Sequence, residues 1–333
     1  MMVLTKDGDT QQMDGGTHKP RMNALGLDLG GTKLAAAIIS NSQLVTEVKK
    51  IPTPKGADKI VEAVISLIAD FQKDHLIAGV GIATAGVVNV ETGQVIGSTG
   101  NLPGWEGTKL KQIVEERTML PCHAENDANA AAYAEVHAAG LGDKQAVVTI
   151  TLGTGIGGGL VMNGKLYRGQ HWAGGEVGHL KIGMENKRMC TCGRWDCWEA
   201  YGSGSGFLRT SKEIIATIKP EQSALANKLA NLTNEMVGEA ADKGDPVAHK
   251  IIDIWHEHVV TGLVSLAHAL DPYCFFITGG MEKFVNFETM RELFIDRSLP
   301  LIGKNVKILP ATLGTDAGMI GAGSLVIDSL VTS

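Results

Sequence analysis

No run of about 18 apolar residues, the length a membrane helix needs, occurs in this chain of 333 residues. The first 22 residues, MMVLTKDGDTQQMDGGTHKPRM, lack the apolar centre of a signal peptide. They read as a disordered tail, or as residues ahead of a second start at Met22, and the cytoplasm is the expected compartment. Basic residues are outnumbered, 30 Lys and Arg against 36 Asp and Glu, for a formal charge of −6. No basic cluster offsets that balance, which excludes the electrostatic footprint of a nucleic-acid binder. An even set of cysteines is also missing. Five, Cys122, Cys190, Cys192, Cys197 and Cys274, in a chain without an export signal argue against a disulfide framework. The string G-x-x-x-x-G-K-[ST] is absent, so this is not a P-loop protein. What remains, 44 % hydrophobic and 20 % charged residues without a low-complexity linker, is a soluble globular chain whose length suggests two domains.

Glycine is plentiful instead. The 42 glycines gather at four places, and two of these share a pattern. In ALGLDLGGTKLAAAII, Ala24 to Ile39, apolar β-prone residues run to Asp28, a glycine turn follows, and a second apolar run leaves it. VVTITLGTGIGGGLVMNGKLY, Val147 to Tyr167, repeats the arrangement and closes with the hairpin turn Asn163-Gly164. Helical spacing is predicted over Ala57–Asp74 and over Pro246–Leu270, and a buried strand over Ile77–Ile82 leading into GIATAG. SGSG, Ser203 to Gly206, opens a helix, and CFFITGGMEKF runs a buried strand into Gly279-Gly280. The economical reading is α/β: two similar lobes, each a sheet with helices around it, meeting at a cleft where a small molecule binds. Consecutive backbone N–H groups in such glycine turns form a nest for an anion. Gly30, Gly31, Thr32 and Lys33 supply one candidate phosphate site, and Gly153, Thr154, Gly155 and Gly157 another. GTGIGG has part of a dinucleotide fingerprint, but a strand and an Asn-Gly turn follow it where that site wants a helix.

Three of the five cysteines fall within eight residues. His179, Cys190, Cys192 and Cys197 make a Cys3His set, the donor complement of a closed structural zinc site. Glu176 precedes His179 by three residues and Glu199 follows Cys197 by two, so a metal there would fix both carboxylates. His256 and His258 in WHEHVV lack the H-E-x-x-H spacing and are expected on a solvated helix face; Cys122 and Cys274 read as small buried residues. The run AENDANAAAYAE places Asn126 and Asp127 at the head of an alanine-rich helix. Asp127 there is either an N-cap or a base.

In this order, DLGGTK, NLPGW, ENDANAAA, LGTGIGGG, GGEVGH and CTCGRWDCWEAYGSG resemble the ROK family of repressors, open reading frames and sugar kinases, in the actin and hexokinase superfamily. The resemblance runs from Met22 to a C-terminal helix around Thr315 to Asp328. It departs at GIATAG, where Thr84 and Ala85 stand and many members carry a proline before the second glycine. It implies a two-lobed actin/hexokinase-like (RNase H-like) fold with a central cleft. The expected division is a tail over 1–22, a small lobe over 23–125 with about 311–330, and a large lobe with the zinc motif over 126–310. It implies ATP-dependent phosphorylation of the 6-hydroxyl of a hexose, glucose first and N-acetylmannosamine or N-acetylglucosamine as alternatives. Asp127 matches the catalytic base; Asn101, Asn126, Glu176, His179 and Glu199 match positions that hold sugar hydroxyls. ATP, Mg2+ and a structural Zn2+ are the implied cofactors, with Asp28 anchoring the magnesium through water and Gly279-Gly280 on the nucleotide. A homodimer or tetramer is implied. Family repressors carry a helix-turn-helix before the first strand, for which about 22 residues leave no room; a non-catalytic sugar sensor is the rival of another class.

Overall fold

The computed structural model describes residues 22–97 and 102–332. β1 (Ala24–Leu29) and β2 (Lys33–Ser40) form an antiparallel hairpin in which nearly every residue is buried. Both read as continuous apolar runs because both faces of the sheet are covered. The short strands β3 (Gln43–Leu44) and β4 (Lys49–Pro52) pair with β2 at its outer edge. α1 (Ala57–Asp74) then buries Ile60, Val64, Leu67, Ile68 and Phe71, the apolar stripe that its helical spacing predicts. β5 (Gly79–Thr84) runs parallel to β1. A ribbon of β6 (Val87–Asn89) and β7 (Gln94–Gly97) and the helix α2 (Leu110–Thr118) lead to β8 (Cys122–Asn126), parallel to β5. The sheet order is β3-β2-β1-β5-β8, with β4 also on β2.

After α3 (Asp127–Ala138) the plan repeats. β9 (Ala146–Leu152) and β10 (Ile156–Met162) form a second antiparallel hairpin, extended by β11 (Lys165–Leu166) beyond Asn163 and Gly164, both at positive φ. Then come α4 (Glu199–Gly202), α5 (Gly204–Ile215), α6 (Asn234–Asp242) and α7 (Pro246–Leu270). β12 (Cys274–Thr278) lies parallel to β9, and after α8 (Phe287–Arg297) and α9 (Pro300–Asn305), β13 (Lys307–Pro310) lies parallel to β12. The order is β11-β10-β9-β12-β13. Each sheet is thus a hairpin followed by two parallel strands, and each has its own core. Leu25, Leu27, Val80, Ile82 and Trp105 fill one; Trp198, Phe207, Trp255 and Phe294 fill the other. This is the two-lobed α/β architecture.

α10 (Ala317–Thr332) packs over β1 and β5 and against α3, which in turn lies on β9 and β10. That seam explains the alanine run in α3. A Cβ on Gly81 would stand 1.9 Å from the carbonyl oxygen of Ala322, and one on Gly321 would stand 1.8 Å from that of Ala130. Backbones this close leave room for nothing larger than alanine on the facing helix.

One expectation is corrected here. The WHEHVV segment is not a solvated face. His256 is buried beside the fully buried Trp255, and its Nε2 accepts the N–H of Asn286 at 3.1 Å. α7 is enclosed by α4, α5, α6 and α8, so most of its circumference is interior. Among the described residues no helix is long and apolar enough to cross a membrane.

Candidate functional site

The parallel strands of both sheets end at one cleft of about 1060 Å³. Its wall takes Asp28 from β1, Ala85 and Gly86 after β5, Asn126 and Asp127 after β8, Gly153 to Gly155 after β9, and Thr278 to Gly280 from the end of β12. Ligands of α/β folds bind beyond the carboxyl ends of the strands because the chain turns there into loops and helix N-termini. Two such rims face each other across this cleft.

At the head of α3 the capping question is settled by geometry. Asn126 is the N-cap: its φ and ψ are extended (−63° and 143°), and its Oδ1 accepts the N–H of Asn129 at 3.0 Å. Asp127 is the first helical residue, and its Oδ1 accepts the N–H of Ala128 at 2.8 Å and the Nδ2 of Asn126 at 3.1 Å. The same Asn126 amide donates to the carbonyl of Gly86 at 3.0 Å, tying β8 to the loop after β5. Oδ1 thus carries both of these hydrogen bonds. Burial raises the Asp127 carboxyl to about 6, helped by the charge of Glu176 and opposed by its hydrogen bonds from Ala128 and Asn126. Asp28 is also raised to about 6, by burial first and then by Asp127, with Lys33 opposing and Asp316 adding to the effect.

The glycine turn after β9 is braced from α5. Gly204 N–H donates to the carbonyl of Gly153 at 2.8 Å, and Ser205 N–H to that of Thr154 at 3.4 Å. Ser203 caps α5, accepting the N–H of Gly206 at 3.1 Å, so this helix presents its N-terminus to the cleft, a place that suits phosphate. Opposite, Gly279 has φ 100°, and a Cβ there would meet the carbonyl of Leu152 at 2.4 Å. Only glycine fits.

His179, Cys190, Cys192 and Cys197 converge, with their four ligand atoms all within 4.8 Å of one another. Cys190 Sγ lies 3.7 Å from His179 Nδ1, and Cys192 Sγ lies 3.7 Å from Cys197 Sγ. A tetrahedral zinc with ordinary bond lengths sets the sulfur–sulfur edge at about 3.8 Å and the sulfur–nitrogen edge at about 3.6 Å. These two edges match such a site, and the four atoms are close enough together to share one ion. His179 turns its other nitrogen, Nε2, towards Glu176 Oε2 at 3.7 Å. Glu199 spans the gap between this cluster and the glycine turn: Oε1 accepts the hydroxyl of Thr191 at 2.9 Å and Oε2 accepts the N–H of Ile156 at 3.0 Å. The loop is knotted from below by Asp196, whose Oδ1 takes the N–H groups of Lys187 and Arg188 and the hydroxyl of Tyr201.

A family description, ROK, matches residues 24–329. The chain belongs to the ROK family. It is 34 % identical over 315 residues to a glucokinase of Streptomyces coelicolor, covering 90 % of this chain and 96 % of that one. It is 29 % identical over 311 residues to an N-acetyl-D-glucosamine kinase of Salmonella heidelberg, covering 90 % and 98 %. Among solved structures it resembles a ROK family glucokinase from Streptomyces griseus in complex with glucose and AMPPNP, at a TM-score of 0.76 and 32 % identity, covering 92 % of this chain and 99 % of that one.

In this ROK chain the cleft gathers Asp28, Asn126, Asp127, Glu176, His179, Glu199, Cys190, Cys192, Gly153, Thr154, Gly155, Gly157, Gly279 and Gly280 into one wall. Cys197 sits behind it, fully buried. Gly30, Gly31, Thr32 and Lys33 are not part of that wall. They form the β1–β2 turn beside Asp28, closed by Gly30 N–H on the carbonyl of Lys33 at 3.0 Å. Asn101 lies outside the described residues. Sequence reasoning missed several groups: Thr191, Ser203, Ser205 and Glu282, which line the cleft, and Trp105, whose Nε1–H donates to Thr84 Oγ1 at 2.9 Å. The last pair gives NLPGW and GIATAG a shared purpose, since Trp105 packs the strand that carries Thr84. It also missed the buried Glu125, on which Arg168 converges from the other sheet at 2.6 Å. Burial works to raise that carboxyl, and His123 and Arg168 outweigh it, holding it below the usual range.

Proposed function

We propose that this protein transfers the γ-phosphoryl group of ATP to the 6-hydroxyl of a hexose, with glucose as the preferred acceptor. The observation that carries this reading is the position of Asp127. It stands at a helix N-terminus in a cleft whose lining also includes the glycine turns at Gly153–Gly157 and Gly279-Gly280 and the side chains of Glu176, His179 and Glu199. A sugar hydroxyl is a weak nucleophile until its proton has an acceptor. Asp127 takes that proton as the oxygen–phosphorus bond forms and the bond to the ADP oxygen breaks, and Asn126 holds the neighbouring hydroxyl in line. The turn at Gly153–Gly157, the head of α5 and Gly279-Gly280 cradle the nucleotide. Positioning and neutralisation of charge do most of the rest. The kinship with a glucokinase at 34 % identity supports the choice of acceptor.

Asp28 fits a magnesium ion held through water: a hard oxygen donor at the phosphate end of the cleft, with Asp316 near enough to raise its pKa. Bound there, magnesium supplies charge neutralisation for the phosphates. His179 and the three cysteines would hold zinc, which supplies rigidity to the loop bearing Glu176 and Glu199.

The reading is tested by ADP release from ATP and magnesium across glucose, mannose, fructose, N-acetylglucosamine and N-acetylmannosamine. Glucose should give the highest kcat/KM. A preference for an acetamido sugar would replace glucose as the acceptor, and a zinc-loaded sample with no turnover on any of them would leave a sugar sensor. A second prediction concerns the metal. Cys192→Ser should lower zinc per chain by elemental analysis from near one to well under half, and should raise the sugar KM more than the ATP KM. Unchanged metal content would refute the site.

A further inference from the structure

One carboxylate outside the reaction scheme joins the two halves of the sugar site. Glu125 is the residue before Asn126 and Asp127, and its side chain is 1 % exposed. Its Oε1 accepts the N–H of Asn126 at 3.0 Å and the Nδ2 of Asn129 at 3.2 Å. Those two bonds hold the strand-to-helix corner on which Asp127 is mounted. Its Oε2 receives Arg168 through Nε at 2.8 Å and a terminal nitrogen at 2.6 Å. Arg168 belongs to the other sheet's side, just after β11, and begins the loop that ends in Gly175 and Glu176. Arg168 is held through both its side chain and its backbone. Its side chain reaches Glu125, and its carbonyl accepts the N–H of Gly174 at 2.7 Å. A Cβ on Gly174 would fall 2.6 Å from the backbone of Arg168, so the loop closes with no slack. Eight residues after Arg168 stands Glu176, whose carbonyl accepts the N–H of His179 at 3.1 Å.

We propose that Glu125 and Arg168 are positioning residues for phosphoryl transfer: their ion pair fixes the distance between Asp127 and the loop that carries Glu176 and His179. This rests on the kinase reading given above. Neither residue lines the cleft wall, so neither touches the sugar; each acts through the group it holds. A carboxylate buried this deeply is costly without partners. His123, on the same strand, lies 3.7 Å from it, and Arg168, which makes the direct hydrogen bonds, comes from the opposite sheet, so the stabilised arrangement is the one that brings both rims to a set spacing. A misplacement of about 1 Å at a reacting centre costs up to about a hundredfold in rate.

The test is steady-state kinetics, in both substrates, of Arg168→Met, Arg168→Lys, Glu125→Gln and the double variant Glu125→Gln/Arg168→Met, with wild type and Asp127→Asn alongside. Arg168→Met should lower kcat about tenfold or more and raise the hexose KM severalfold, with the ATP KM within about twofold. Arg168→Lys should recover part of the loss, and the double variant should be no worse than the poorer single one, because both remove the same link. Should Arg168→Met fail to fold, Arg168→Lys and Glu125→Gln keep volume and shape and carry the same comparison. A merely structural pair would lower Tm and the titrated fraction of active sites while leaving kcat per active site and both KM values unchanged; that result overturns the proposal. Failure of the kinase reading looks different: wild type turns over no hexose, or Asp127→Asn keeps full turnover. Either of those overturns both.

Discussion

Asp127→Asn lowers turnover by at least about a hundredfold, the low end for loss of a general base, while the hexose still binds. Asparagine keeps the shape and the hydrogen bond from Ala128, so the α3 corner survives and only the proton acceptor is gone. The rate should also report the carboxyl's environment. Burial and the charge of Glu176 raise Asp127 to about 6, so kcat/KM should climb through about pH 6 and level off above 7. Asp28 is raised to about 6 as well, and the two interact; the acid limb therefore belongs to the pair. Stability moves the opposite way. A carboxyl whose folded pKa lies above its unfolded 3.8 binds its proton more tightly in the native state, so folding stability declines as pH rises from about 4 to about 6. Asn escapes that penalty. The variant should melt a few degrees above wild type at pH 7.5 and at the same temperature near pH 4, by circular dichroism. Near-normal turnover in a folded variant would remove Asp127 from the mechanism.

Gly321→Ala should be strongly destabilising, although it adds only one methyl group. Alanine in a helix interior gains about 1 kcal/mol over glycine, so propensity alone favours the change. Against it stands a Cβ placed 1.8 Å from the carbonyl oxygen of Ala130 and 2.5 Å from its carbon. These are backbone atoms, and a close-packed interior does not let a helix retreat by more than an ångström at one point. The clash should win by on the order of 3 kcal/mol net, at the upper end for overpacking, and should cost several degrees in Tm. Gly280→Ala is the control for folding, since a Cβ there meets nothing within 4 Å and its φ is not positive. Equal melting of the two variants would sink the argument about the seam.

Much of this was legible in the residues. α1 and α7 fall on Ala57–Asp74 and Pro246–Leu270, where spacing places them, because their apolar stripes are wide and their ends are marked, α7 by Asp245 capping and Pro246 at its start. The two hairpins were legible because a strand buried on both faces is an unbroken apolar run. Three thiols and an imidazole in a short stretch declare one another. Other features were not legible. Glu125 looks like one more acid beside Asn126, and nothing in spacing says that Arg168, 43 residues on, will meet it. His256 looks polar and is interior because of helices that come before and after it in the chain. The strand over Ile77–Ile82 is shifted to Gly79–Thr84, since pairing with β1 sets its ends and its own apolar run does not.

The α3–α10 seam also sets which parts of this protein can change. The two cores are built largely from Leu, Ile, Val, Phe and Trp, and such cores accept exchanges of similar volume for modest cost. At the seam there is no volume to exchange: Gly81, Gly159 and Gly321 face backbone or an alanine methyl at distances no side chain tolerates. A library randomised across the whole chain and selected only for folding should therefore return varied large residues deep in both cores and a nearly fixed line of the smallest residues where the two sheets are joined. For this molecule the most constrained positions are those with the least chemistry of their own.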